Sequence, residues 1–185
     1  MEKLQEKFIK EILPQLQSEL KLKNIHETPR IEKVVVSSGI GDFKEDDAMI
    51  KKAVNVFSII TGLKPKITKS KKAVSAFKLR IGQPVGLMTT LRGEKAYDFI
   101  SRLVDITIPR IRDFRGLKLS AFDKKGNYSI GIKDTSIFPE IKLEDALPTF
   151  GLQINIKTNT KDDEKALILL KKLGFPFEKE QKHGA

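Results

Sequence analysis

No cysteine and no tryptophan occur in the 185 residues, and there are only two histidines. Without cysteine the chain has neither disulfide staples nor thiolate ligands, so its stability has to come from a hydrophobic core. With so little histidine, the usual base of a nucleophile relay is also scarce. His26 sits among Asn24, Glu27 and Thr28 in a loop-like stretch and His183 lies in a polar tail, so both read as solvated side chains. Long apolar runs are missing too, and none approaches the roughly 20 residues that a membrane-spanning helix needs. The segment Met1–Lys7 mixes both charges without an apolar stretch, so neither a secretory signal nor a transit peptide is expected. No catalytic residue, metal or cofactor is expected.

A further absence is local. From Ala48 to Gly93 there is no aspartate or glutamate, whereas Lys51, Lys52, Lys64, Lys66, Lys69, Lys71, Lys72, Lys78, Arg80 and Arg92 supply ten positive charges. The net charge of the whole chain is +11, so this window holds nearly all of the excess. A lysine run is often only a solvated face, but a solvated face carries both signs. Removing every carboxylate from one window suits a surface that must approach phosphates, because each carboxylate would repel that ligand. A nucleic acid is therefore the expected partner. A membrane surface is not, since that needs a cationic amphipathic helix and the window consists mostly of strands and loops.

What is present reads as one domain with mixed elements. Leu4, Phe8, Ile12, Leu16 and Leu20 recur every four residues and predict a first helix, either kinked at Pro14 or split there into two pieces. Ile31 to Ser37 predicts a central strand. Asp46 or Asp47 caps a helix with Ile50, Ala53, Val54 and Phe57 on one face, closed by Gly62. Lys66 to Thr68, Ala76 to Ile81 and Gly86 to Leu91 are strand candidates. Glu94 to Thr107 predicts a helix that stops before Pro109. Leu117–Phe122 and Tyr128–Ile132 predict a hairpin, Leu152, Ile154 and Ile156 a half-buried strand, and Asp162 or Asp163 the start of a helix ended by Gly174. The fold class is α+β: a largely antiparallel sheet with helices packed on one face and an open, basic RNA-binding face. Residues 1–177 form a single domain and 178–185 a polar tail.

Three constellations carry chemistry. Ser38-Gly39-Ile40-Gly41-Asp42 lacks the third glycine of a dinucleotide turn and serves as backbone freedom at a strand end. The stretch from Ile67 to Pro84 resembles an extended finger, its lysines offering point charges to phosphates and Phe77 either stacking on a base or anchoring the loop to the core. Pro109 to Leu117 holds Arg110, Arg112 and Arg115, which form either an RNA clamp or an internal ion-pair network with Asp113. The only candidate catalytic acids are Asp42, Glu94 and Asp113, and each has a plainer role as turn residue, helix-start charge or arginine partner.

The strings TGLKPKITKSKKAVSAFKLRIGQPVG at 61–86, TLRGE at 90–94, PRIRDFRGL at 109–117, FDKKGNYSIGI at 122–132, IFPEI at 137–141 and GFPF at 174–177 resemble bacterial-type large-subunit ribosomal protein number five, the family that binds 5S rRNA. The resemblance runs over nearly the whole chain. It implies a cytoplasmic ribosomal scaffold, of a bacterial-type or organellar ribosome, that is monomeric outside the ribosome. It further implies contact with 5S rRNA through Lys33, Ser37, Lys64, Lys66, Thr68, Lys69, Thr90 and Arg92. The loop carried by Lys71, Lys72, Ala73, Val74, Ser75, Phe77, Lys78 and Arg80 is implied to face peptidyl-site tRNA. Contacts with 23S rRNA, neighbouring large-subunit proteins and a small-subunit head protein follow from the same resemblance. The family usually has Asn at the position of Ser37 and commonly Gln at that of Leu63. Ser37 keeps a hydroxyl, but Leu63 cannot hydrogen-bond.

Overall fold

In the computed structural model, which describes residues 4–43, 45–141 and 149–178, α1 (Leu4–Lys7) runs through a π-helical turn over Phe8–Ile12 into α2 (Leu13–Glu19). There follow β1 (Ile31–Gly39), α3 (Asp47–Thr61), β2 (Lys66–Lys69), β3 (Pro84–Leu91), α4 (Glu94–Arg102), β4 (Tyr128–Ile132), β5 (Leu152–Thr158) and α5 (Asp163–Lys172). The five strands form an antiparallel sheet ordered β2-β3-β1-β5-β4, with β1 in the centre, so the α+β expectation holds. Burial alternates strictly along β4 and β5, as expected of strands covered on one side.

Proline shapes two helical segments in the same way. A proline has no N–H and its ring collides with the carbonyl four residues back. Before Pro14 the chain widens into the π turn, and the Leu13 N–H reaches back five residues to the Phe8 carbonyl. Before Pro109 a second π turn covers Leu103–Thr107, and the Ile108 N–H reaches the Leu103 carbonyl. Helical winding then continues through Pro109 as a short 3₁₀ turn, Ile108–Arg110, so it does not stop before this proline as the sequence suggested.

By compactness the chain divides into two units: a terminal unit of Met1–Val34, Arg92–Ile130 and Asn155–Ala185, and a central unit of Val35–Leu91 and Gly131–Ile154. In the terminal unit the Phe8 and Tyr97 rings lie 5.2 Å apart. Phe122, Tyr128 and Phe177 form an aromatic cluster. Tyr128 also donates its hydroxyl to the Lys118 carbonyl at 2.8 Å. That bond explains why Leu117–Phe122 is not the expected strand. Leu117 instead bridges Phe177, Leu119–Ala121 is a 3₁₀ turn, and only Phe122 pairs antiparallel with Tyr128. Burial pushes the hydroxyls of both Tyr97 and Tyr128 up to about 12.

The loop after Phe122 is held by carboxylates. Asp123 accepts from the Lys125 and Asn127 N–H groups and from the Asn127 side-chain amide. These bonds, led by the side-chain amide, hold its carboxyl below the ordinary aspartate value. Asp163, in the first turn of α5, accepts from Lys124 and Gly126, while Asp162 caps that helix through the Glu164 N–H. Gly126 has φ +74°, and a Cβ there would collide with the Thr160 carbonyl.

In the central unit Asp46 caps α3 by accepting from Ala48 and Met49, and Gly62 at φ +68° closes it. The buried face is Ile50, Ala53, Val56, Phe57 and Ile60, so Val56 occupies the place expected of half-buried Val54. α3 packs on β3. Phe57 is fully buried, and its replacement by alanine is expected to cost on the order of 3–5 kcal/mol. Ala76–Ile81 is not a strand. Phe77, Leu79 and Ile81 alternate with charges, but no sheet covers them: Ser75–Phe77 is a 3₁₀ turn, and Phe77 and Ile81 are 70% and 71% exposed. No described helix is long and apolar enough to cross a membrane. The tail beyond Glu178, including His183, lies outside the described residues.

Candidate nucleic-acid interface

The predicted binding residues fall into several places. On β2 and β3 the register sets Lys66 opposite Met88 and Thr68 opposite Gly86, so these four share one face. Ser37, Thr68, Gly86, Met88 and Gln153 line a groove of about 510 Å³ in the central unit. The hydroxyls of Ser37 and Thr68 have no hydrogen-bond partner among the described residues. Behind them, buried Ser38 donates to the Gly151 carbonyl at 2.7 Å. Sequence reasoning missed Gly86, Met88 and Gln153. A glycine in the middle of a strand is the one signal that pointed there, because it marks a close approach.

Lys64 belongs to a different concavity. With Lys51, Asn55, Ser58, Ile59 and Leu63 it lines a groove of about 530 Å³ on the outer side of α3. Lys66 and Lys69 are exposed on β2, and Thr90 is half-buried on β3. Lys33 and Arg92 lie in the terminal unit and act electrostatically on Glu32. Its carboxyl is held below the ordinary glutamate value chiefly by Lys157, 2.9 Å away, with Lys33 and Arg92 adding to the effect.

Residues 71–78 and Arg80 are all exposed and form a finger. Its base is fastened by the Ser70 N–H to the Gln83 carbonyl at 2.8 Å and the Gly82 N–H to the Ser70 carbonyl at 3.0 Å. Farther out, Val74 and Leu79 exchange backbone bonds and Lys78 turns the tip at φ +50°. Lys71, Lys72, Ala73, Val74, Ser75, Phe77, Lys78 and Arg80 thus share one projection, and Phe77 is not anchored in the core. Among the described residues no carboxylate pairs with the cations of this finger.

Arg110, Arg112 and Arg115 are exposed on the segment that follows the second π turn. Asp113 adopts φ +54° and pairs with none of them, so the internal ion-pair network is not formed among the described residues. Three outward guanidinium groups remain. Gly116, at φ +114°, closes the segment against the backbone of Glu178, where a Cβ would come within 2.6 Å of the amide nitrogen. No group of metal-ligating side chains occurs among the described residues.

Comparisons with known proteins show which proteins the chain is similar to. Residues 24–80 match the family model described as ribosomal protein L5, and residues 84–177 match the model of that ribosomal family's C-terminus. Large ribosomal subunit protein uL5 of Chloroflexus aggregans is 47% identical over 175 residues, covering 95% of this chain and 97% of the relative. The uL5 protein of Halothermothrix orenii is 48% identical over 177 residues, covering 96% and 99%. That of Macrococcus caseolyticus is 45% identical over 179 residues, covering 97% and 100%.

Proposed function

The chain belongs to the uL5 family of large-subunit ribosomal proteins, and from that membership we propose how its surfaces are used. It is a structural, non-enzymatic constituent of the large subunit of the cytoplasmic ribosome, associated there with rRNA and neighbouring proteins. The finer assignment is our own. Ser37, Lys64, Lys66, Thr68, Lys69 and Thr90 of the central unit, with Lys33 and Arg92 of the terminal unit, grip 5S rRNA in the central protuberance. The finger from Lys71 to Arg80 reaches peptidyl-site tRNA. Arg110, Arg112 and Arg115 serve a further RNA contact or a bridge to a small-subunit head protein, and 23S rRNA supplies a second RNA contact.

One observation carries this reading: the cations of the acid-free window are exposed, and none forms an ion pair with a carboxylate among the described residues. Cations outside ion pairs are open to phosphates, and their binding there is favoured by release of condensed counterions. The test is a gel-shift titration against 5S rRNA with a same-length unrelated RNA as competitor. Tight, competitor-resistant binding is the expected result. Binding that the unrelated RNA abolishes at equal concentration would overturn the assignment.

A further inference from the structure

Of the three serines in the acid-free window, two already donate their hydroxyls: Ser58 to the Val54 carbonyl at 2.8 Å and Ser70 to the Lys72 carbonyl at 2.6 Å. The Ser75 hydroxyl has no hydrogen-bond partner among the described residues. Ser75 opens the 3₁₀ turn Ser75–Phe77 near the tip of the finger, where residues 71–78 are all exposed, so it can enter another protein's cleft. Lys71 and Lys72 stand four and three places before it, and no other serine of the chain has basic residues at both positions. Protein kinases choose substrates by such charge patterns. We propose that Ser75 is a phosphoryl acceptor for a serine/threonine kinase that reads basic residues, and that Lys78 and Arg80 then hold the phosphate.

The surroundings suit the product as well as the acceptor. Ser75, Lys78, Arg80 and Gln83 line one concavity of about 560 Å³, which Leu79 and Glu45 complete. Lys78 and Arg80 form no ion pair among the described residues, so a phosphate carrying nearly two negative charges meets two open cations. Glu45 is the one carboxylate of the concavity and is outweighed by them. In the transfer the Ser75 oxygen attacks the γ-phosphorus of ATP and the bond from that phosphorus to the bridging oxygen breaks. ADP leaves, and the hydroxyl proton passes to the base of the kinase. Two cations of the finger are then satisfied internally, which weakens its attraction for polyanions. That consequence rests on the RNA-binding reading above, whereas the acceptor assignment stands on the finger alone.

The test begins with phosphopeptide mapping of the protein taken from its own cells, which should find phosphate on Ser75. In vitro, the catalytic subunit of cyclic-AMP-dependent kinase with radiolabelled ATP should label the wild type once and Ser75→Ala not at all. Lys71→Ala/Lys72→Ala should take the label on the order of tenfold more slowly. In phosphorus NMR the second ionisation of the phosphoserine should fall below its usual value of about 6 and return to it in Lys78→Ala/Arg80→Ala. Kinase treatment should lower the salt slope for an unrelated RNA by about two units in the wild type and leave that of Ser75→Ala as it was before treatment. Cell-derived protein without phosphate on Ser75, or label that survives Ser75→Ala, would overturn the acceptor assignment. An unshifted ionisation would overturn the roles of Lys78 and Arg80. Wild-type protein whose RNA binding ignores salt would overturn the RNA reading, while the labelling would still decide Ser75.

Discussion

The two units of the molecule treat their charges differently. In the terminal unit lysines meet carboxylates: Lys157 with Glu32 at 2.9 Å, Lys172 with Glu19 at 3.1 Å, Lys10 with Glu6 at 3.5 Å. Aspartates there also hold loops, as Asp123 and Asp163 do around Gly126. In the central unit no lysine or arginine has an ion pair among the described residues. A count of basic residues therefore says little about binding. Whether carboxylates stand beside them says much more, because a paired lysine has already satisfied its charge internally and an unpaired one has not.

If that contrast is right, removing exposed cations of the central unit should cost RNA affinity without stability, and disturbing the loops that carboxylates hold in the terminal unit should cost stability without RNA affinity. The largest effect is expected from replacing Lys64, Lys66 and Lys69 together by alanine. Affinity for 5S rRNA should fall on the order of a hundredfold at moderate salt and the slope of binding against salt by about three units, as titration would show. The melting temperature should stay within a degree or two, because exposed charges contribute little to folding.

Next comes Gly126→Ala. Its positive φ and the Thr160 carbonyl both oppose a Cβ, so a loss on the order of 2–3 kcal/mol is expected in denaturant titration, with the salt slope unaltered. Gly82→Ala at the finger base makes the useful contrast. Its φ is +86°, but nothing lies within 4 Å of the added atom, so about 1 kcal/mol is the expected loss.

A smaller effect is set by pH. The Asp123 carboxyl is depressed in the folded state, so its contribution is fully present above the unfolded value near 3.8 and is lost as pH falls through the still lower folded value. Acid titration of wild type and Asp123→Asn should converge below that window. The buried Tyr97 and Tyr128 act with the opposite sign: their folded values near 12 exceed the ordinary 10.0, so stability should fall as pH rises from 10 to 12. The smallest effect is expected for Glu32→Gln, which breaks a solvent-exposed pair with Lys157 and should leave the denaturation midpoint at its wild-type value within error.

Much of the fold was legible because local chemistry and tertiary packing agree. The central position of β1 follows from three successive valines, and α3 from Asp46, Gly62 and the spacing of Ile50, Ala53 and Phe57. The misreadings have specific causes. The alternation of Phe77, Leu79 and Ile81 imitates a strand, but alternation makes a strand only where a sheet covers one side. Lys118 gives its carbonyl to the Tyr128 hydroxyl, a partner that no local pattern announces. Pro109 looked like a helix end because a π turn just ahead of it leaves no mark in hydrophobic periodicity.

Of the candidate site, the finger was the most legible part, since eight predicted residues share one projection. The 5S rRNA group was less so. Linear proximity joined Lys64 to Lys66, whereas the end of α3 turns Lys64 into a separate groove. Gly86, Met88 and Gln153 escaped notice because their importance comes from the strands beside them. Whether Arg110, Arg112 and Arg115 bind Asp113 depends on a backbone turn, and the positive φ of Asp113 is a three-dimensional fact.

The most direct test of the central claim is the slope of 5S rRNA affinity against salt concentration for the unmodified protein. If the unpaired cations of the central unit neutralise about six or more phosphates, the logarithmic slope should be about −5 or steeper, with a loss on the order of a thousandfold between 50 and 200 mM salt. An affinity that is flat across that range would mean these cations do not meet phosphate, and the distinction drawn between the two units would fail.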